Sequence, residues 1–186
     1  MKFLLPNLLT IYLLSASNWL INGDFEQVLS NGWKSKFFNY VLSDTIDRQT
    51  YFHPDSDYEA RVKKYDSAYA MLYQVIPAPT VDFEFLADAK LYAYEFNPAA
   101  SYWAAAALVI SYTDSLENTL GETRIVYKSL HCPWVDTPNI HHIWVLDTLW
   151  NSYSLNIGEE LMNLPGINPA SIRKIRISLY SRTTGC

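Results

Sequence analysis

The sequence predicts an all-β protein, a β-sandwich or barrel. Three observations carry this. Several short runs alternate apolar and polar residues with period two, the signature of half-buried strands. Breakers separate the runs: Asn31-Gly32, Pro77-Ala78-Pro79, Asn97-Pro98, Pro133, Pro138, Pro165-Gly166 and Asn168-Pro169. The chain is 49% hydrophobic but only 18% charged, which fits a fold with two apolar inner faces. Its 186 residues favour one domain.

The N-terminus reads as a secretory signal. Lys2 precedes the apolar stretch Phe3 to Leu14, and Ser15-Ala16-Ser17 places small residues three and one before a cut at Asn18. Residues 1–17 are therefore expected to leave, and 18–186 to form one β-sandwich domain that is secreted or at the cell surface. The leader is shorter than the roughly 20 apolar residues that span a bilayer, and no later stretch is long enough either.

The expected strands follow in order. In Val81-Asp82-Phe83-Glu84-Phe85 the apolar residues share one face and the acids the other. Leu91 to Phe96 places Tyr92, Tyr94 and Phe96 on one side. Tyr102 to Thr113 carries four consecutive alanines, which favour helix locally, yet continues into Val109-Ile110-Ser111-Tyr112. It reads as a central strand buried on both faces. Arg124–Tyr127 and Ile143–Leu146 are β-branched or aromatic. Gly158–Leu164 is the one expected helix, ending at Pro165. Ile172 to Leu179 alternates near its end, with Ile175, Ile177 and Leu179 inward. The cluster Arg173, Lys174 and Arg176 reads as a charged sheet edge.

Composition also excludes classes. A net charge of −5 without a long Lys/Arg run argues against nucleic acid. Among known sequence signatures, no Walker loop, dinucleotide fingerprint, Gly-x-Ser-x-Gly elbow or His-Glu-x-x-His occurs. No Asn-x-Ser/Thr sequon occurs. The two thiols, Cys132 and Cys186, leave either a bridge permitted by export or two free cysteines. His131, Cys132, His141 and His142 match no common zinc spacing. On a strand the adjacent His141 and His142 face opposite ways. Asp82 and Glu84 are the nearest thing to a carboxylate pair, with nothing to mark a cleft between them.

Leu20-Ile21-Asn22-Gly23-Asp24-Phe25-Glu26, followed by Gly32-Trp33, resembles the first strand of secreted carbohydrate-binding modules with the galactose-binding-like jelly-roll fold. Ala68 to Ile76 looks like the strand that precedes their core-facing pair, and Gly121-Glu122-Thr123 and Ile172–Leu179 sit where later strands belong. The resemblance implies a jelly roll. It departs at the end, because such modules add a strand after the one that here runs into Thr183-Thr184-Gly185-Cys186. That departure implies a fold lacking its last strand, or a piece of a longer protein with further domains. The resemblance also implies a structural Ca²⁺ at Asp24 and Glu26, and Asp66, in the turn Lys64-Tyr65-Asp66-Ser67, is a further candidate ligand. Calcium needs six to eight oxygens, so these need backbone carbonyls as well.

The aromatics point to sugar. The chain holds 14 Tyr and 6 Trp. A ring can stack on the C–H face of a sugar while polar neighbours read its hydroxyls. Most Trp in a small sandwich are core. Trp134, between two prolines, and Trp150, beside Asn151, escape that fate best, and Tyr92 with Tyr94 forms a same-face pair. The expected function is non-catalytic binding of a polysaccharide or surface glycan. A structural or adhesive module that binds protein, and a small glycoside hydrolase or lyase, stand as alternatives.

Overall fold

The computed structural model describes residues 18–50, 56–95 and 102–184. Residues 1–17, expected as a signal peptide, Phe96 and Cys186 lie outside them. Ten strands follow in chain order: β1 Lys34–Phe38, β2 Thr45–Gln49, β3 Glu59–Lys63, β4 Ala68–Pro77, β5 Glu84–Lys90, β6 Ala104–Thr113, β7 Thr119–Lys128, β8 Ile140–Trp144, β9 Trp150–Asn156 and β10 Lys174–Thr183. A single turn of helix, α1 Ile157–Glu160, runs into a 3-10 turn at Leu161–Asn163. The fold is an all-β sandwich.

Six strands form the main sheet in the order β1-β4-β10-β6-β7-β8. Two ribbons, β2–β3 and β5–β9, complete the architecture. One core joins them. Leu72 and Ile76 of β4, Leu108 and Ile110 of β6, Ile125 of β7, and Ile175 and Ile177 of β10 form the inner face of the main sheet. Phe85 and Ala89 of β5 close over them, with Ile157, Leu161 and Leu164 from the helical segment. Ile46, Ala60 and Val62 of the other ribbon pack at the margin. Both ribbons therefore cover the same side of the main sheet.

The tetra-alanine segment is β6, antiparallel to β10 and β7. Nine of its ten residues are buried, as expected for a central strand. β10 lies between β4 and β6, paired along its whole length on both sides. Its lysine and arginines are thus not an edge device, and the strand that ends the described chain leaves no open ladder. Neighbouring strands hold both of its backbone edges, and Lys174, Arg176 and Arg182 alternate with the inward Ile175 and Ile177, so they face outward from the sheet.

β7 and β8 are parallel. A parallel pair needs a crossover that returns to the start of the sheet. Residues 129–139 make that crossover and carry Trp134 past the outer face, against Ala105, Ala107 and Val109.

Three local expectations shift. Asn22 to Glu26 is a turn, not a first strand: Asn22 and Phe25 have φ of 52° and 57°, in the left-handed region strands avoid. Asn22 organises it, accepting from Gln27 N–H and donating to the carbonyls of Gln27 and Val28. The Trp33 indole donates to the Asn22 carbonyl at 2.9 Å. Gly32 sits at φ 90°, with Ile21 too close for any side chain. The strand expected at 81–85 begins later, at Glu84, because the first partner on β9 is Asn156. Leu91–Glu95 alternates as read, with Leu91 buried and Tyr92 and Tyr94 exposed. It is not a strand, since β9 begins opposite Lys90 and offers nothing to pair with beyond it.

Candidate functional site: a cleft between the ribbons

The two ribbons do not close completely over the main sheet. Between them lies a cleft of about 550 Å³. Its lining includes Arg61, Val62 and Lys63 of β3, Lys90 at the end of β5, Tyr92 just after it, and Trp150 at the start of β9. Lys90 and Trp150 are register partners, so pairing of the ribbon itself sets Trp150 beside the cleft. Tyr92 is 61% exposed and stacks on Tyr127 with ring centroids 6.4 Å apart. That contact holds one ring face and leaves the rest of the side chain to solvent. Arg61 is oriented by Asp47, its Nε donating at 2.9 Å. Lys63 lies 4.3 Å over the Tyr65 ring.

A smaller hollow of about 240 Å³ adjoins the cleft. It shares Glu59, Ala60, Lys90, Trp150 and Leu179 with it. Asp24, Asp57 and Asp88 line this hollow. Asp88 Oδ1 accepts from the Ser152 hydroxyl across the β5–β9 ribbon.

The structure thus brings Tyr92, Trp150 and Asp24 along one continuous depression. It separates the other candidates. Tyr94 is 63% exposed but does not line the cleft. Trp134 is on the opposite side of the main sheet, packed with Trp103 and Tyr180. Glu26 shares the Asp24 turn, and its Oε1 accepts from Tyr58 N–H. Asp66 lies at the β3–β4 turn, where it accepts from Ser67 N–H.

The first-turn carbonyls of Phe25 and Glu26 accept from Arg48 Nη1, at 3.0 and 2.6 Å. A guanidinium therefore occupies backbone oxygens that a calcium ion at this turn would use. As placed, Asp24, Glu26 and Asp66 do not converge. Among the described residues no three His, Cys, Asp or Glu side chains are gathered for a metal.

The histidines also disperse. His131 pairs with Glu95, His141 with Glu160 and His142 with Asp136. His141 and His142 face opposite sides of β8, one toward the helical segment and one toward Trp134. Glu160 is buried and joins a chain of polar groups. It accepts from Thr123 Oγ1 at 3.0 Å, and Thr123 Oγ1 is 3.0 Å from Tyr112 Oη. Burial pushes the Tyr112 hydroxyl well above its ordinary pKa, so it stays protonated. Cys132 is buried, and burial raises its thiol too. The bridge to Cys186 lies outside the described residues. Asp82 N–H donates to the Thr80 hydroxyl, and Glu84 accepts from the Ser154 hydroxyl.

Arg61, Lys63 and Lys90 were not legible as site residues. No motif marks them, and they reach the cleft only because β3 and β5 belong to different ribbons on the same side of the main sheet. No protein-family model matches the chain, and no curated protein matches it in sequence.

Proposed function

We propose that the protein is a non-catalytic glycan-binding module, and that the cleft between the ribbons takes the sugar. One observation carries this reading: Tyr92 and Trp150, from separate elements, line one cleft with Arg61, Lys63 and Lys90. Aromatic walls with a few polar groups at the margin are the makings of a small-ligand site, and about 550 Å³ falls within the usual range. The rings offer stacking surface for C–H groups, and the cations offer donors to hydroxyl oxygens. The signal-like N-terminus supports display outside the cell.

A calcium ion belongs to this reading as a separate proposal. Asp24, which lines the adjoining hollow, would be one ligand, with the other oxygens drawn from outside the carbonyls that Arg48 engages. Adding Ca²⁺ to chelated protein should then raise the melting temperature, because a ligand of the native state stabilises it. An unchanged melting temperature removes the ion.

A glycan-array screen of residues 18–186 tests the main reading. Trp150→Ala should weaken the best ligand by roughly 30-fold, the loss of about 2 kcal/mol expected of an anchoring aromatic. Tyr92→Ala should weaken it less, since Tyr92 offers one free ring face. An array without a hit, or a hit indifferent to both variants at unchanged melting temperature, would sink the proposal.

A further inference from the structure

Both ribbons lie on the inner side of the main sheet, so its outer face is left to loops and solvent. Its centre is made of small residues: Ala105, Ala107, Val109 and Ser111 on β6, and Ser178 on β10. A chain of rings crosses it. Phe38 stacks on Tyr69 at 5.9 Å and Tyr69 on Tyr180 at 5.5 Å. Tyr180 meets Trp134 at 6.2 Å, Trp134 meets His142 at 5.8 Å, and His142 stacks on Trp144 at 4.8 Å.

Cations sit among these rings. Lys36 lies 5.8 Å over Tyr69, Arg124 4.5 Å over Trp134, Lys128 4.3 Å over Trp144 and Arg182 5.4 Å over Trp103. Arg176 lines the same hollow of about 280 Å³. Three strands thus place five cations on one face of a chain whose net charge is −5. Acids accompany them: Glu122, engaged by Arg124 Nε at 2.8 Å and 3.9 Å from Arg176, Asp136, bonded to His142, and Glu117, bonded to Lys174. Two donors in the hollow make no hydrogen bond among the described residues, the Ser178 hydroxyl and Arg176 Nε.

We propose that this outer face binds a sulfated polysaccharide. The charges form an array rather than converging on one point. Same-face residues along a strand are about 7 Å apart and neighbouring strands about 4.8 Å. That spread suits a polymer with a charge on successive sugars, not one small anion. A planar carboxylate is best read by an open guanidinium fork. Here Arg124 is committed to Glu122, and Arg176 Nη2 to the hydroxyls of Ser111 and Thr119. Lys128 Nζ is bonded to the Cys132 and Trp134 carbonyls and Arg182 lies over the Trp103 ring, so with Lys36 they offer charge rather than an open fork, which a tetrahedral, permanently ionised sulfate accepts from any side. Single-stranded nucleic acid would need free ring faces for its bases. The inner rings, Tyr69, Tyr180 and Trp134, each lie between two neighbours, so a run of bases finds open faces only at the ends, at Phe38 and Trp144. This proposal does not rest on the cleft reading.

Retention on immobilised dextran sulfate tests it, with neutral dextran, polygalacturonate and single-stranded DNA as parallel arms. The full protein should be retained by dextran sulfate at low salt and released as salt rises, since binding releases counterions. Neutral dextran should not retain it, and polygalacturonate and DNA should hold it at least tenfold more weakly. Lys36→Gln with Arg182→Gln should weaken retention at least tenfold at unchanged melting temperature. Tyr92→Ala and Trp150→Ala should leave retention intact, which separates this face from the cleft. Absent retention, equal retention on DNA or polygalacturonate, or retention indifferent to the charge variants would overturn it.

Discussion

Single residues anchor this fold where backbone groups would otherwise be orphaned. Gln74 on β4 is 5% exposed and makes a two-way bond with Ile21, accepting from its N–H at 2.8 Å and donating to its carbonyl at 2.9 Å. Gln74→Leu would leave both groups unsatisfied, and urea unfolding should show a loss of about 1–3 kcal/mol. Asp44 is a second anchor. Its carboxylate accepts from Val41 N–H, Tyr65 N–H and Lys64 Nζ, the last at 2.7 Å with both side chains fully buried. Burial alone would raise its pKa, but these bonds outweigh it and hold the group below its ordinary value. Its stabilising contribution is therefore complete above about pH 3.9, the unfolded value, and is lost as pH falls through the lower folded one. Asp44→Asn leaves Lys64 buried without a counter-charge and should lose about 3–5 kcal/mol at neutral pH. That deficit should shrink only in strong acid. His142 shifts the other way for a base. Burial lowers its pKa first, and Arg124 and Lys128 add to this against the pull of Asp136. The folded ring is harder to protonate than the unfolded one. Stability is then complete above about pH 6.5 and declines as pH falls toward the lowered value. Melting curves should show this decline below neutrality, and His142→Phe should flatten it.

At the scale of elements, periodicity was a good guide wherever a strand has one inward face. Ile175 and Ile177 are buried as their pattern required. The same holds for Phe85, with Val81 and Phe83 packed beside it, although pairing starts only at Glu84. Strand limits depend on where the partner begins, which no local pattern records. The expected first strand at Asn22–Glu26 is instead a turn, because Asn22 and Phe25 take left-handed backbone conformations. β7 offers a sharp test of element packing. A Cβ on Gly121 would strike Ile167 Cδ1 and the Asn139 carbonyl, where β7 meets the β8 entry and the helical segment. Gly121→Ala should lower stability by about 1–3 kcal/mol in denaturant titration, the range for overpacking.

For the whole molecule, one core unites the main sheet, both ribbons and the helical segment. Tryptophan fluorescence and far-UV circular dichroism should therefore report one coincident unfolding transition. Separate midpoints would show that a ribbon unfolds by itself. The sequence alone determined the strand-rich class, the buried central strand at β6, the short helix before Pro165 and the opposed histidines, because alternation and breakers are local properties of the chain. It also marked Tyr92 and Trp150 as aromatics worth following. Only the tertiary structure decided that these two share a cleft while Trp134 covers the opposite face. Only the sheet order decided that Arg176 and Arg182 are central, where they join Lys36, Arg124 and Lys128 from other strands. A charge run is visible in one dimension, but a patch made of single residues from three strands exists only once their register is set.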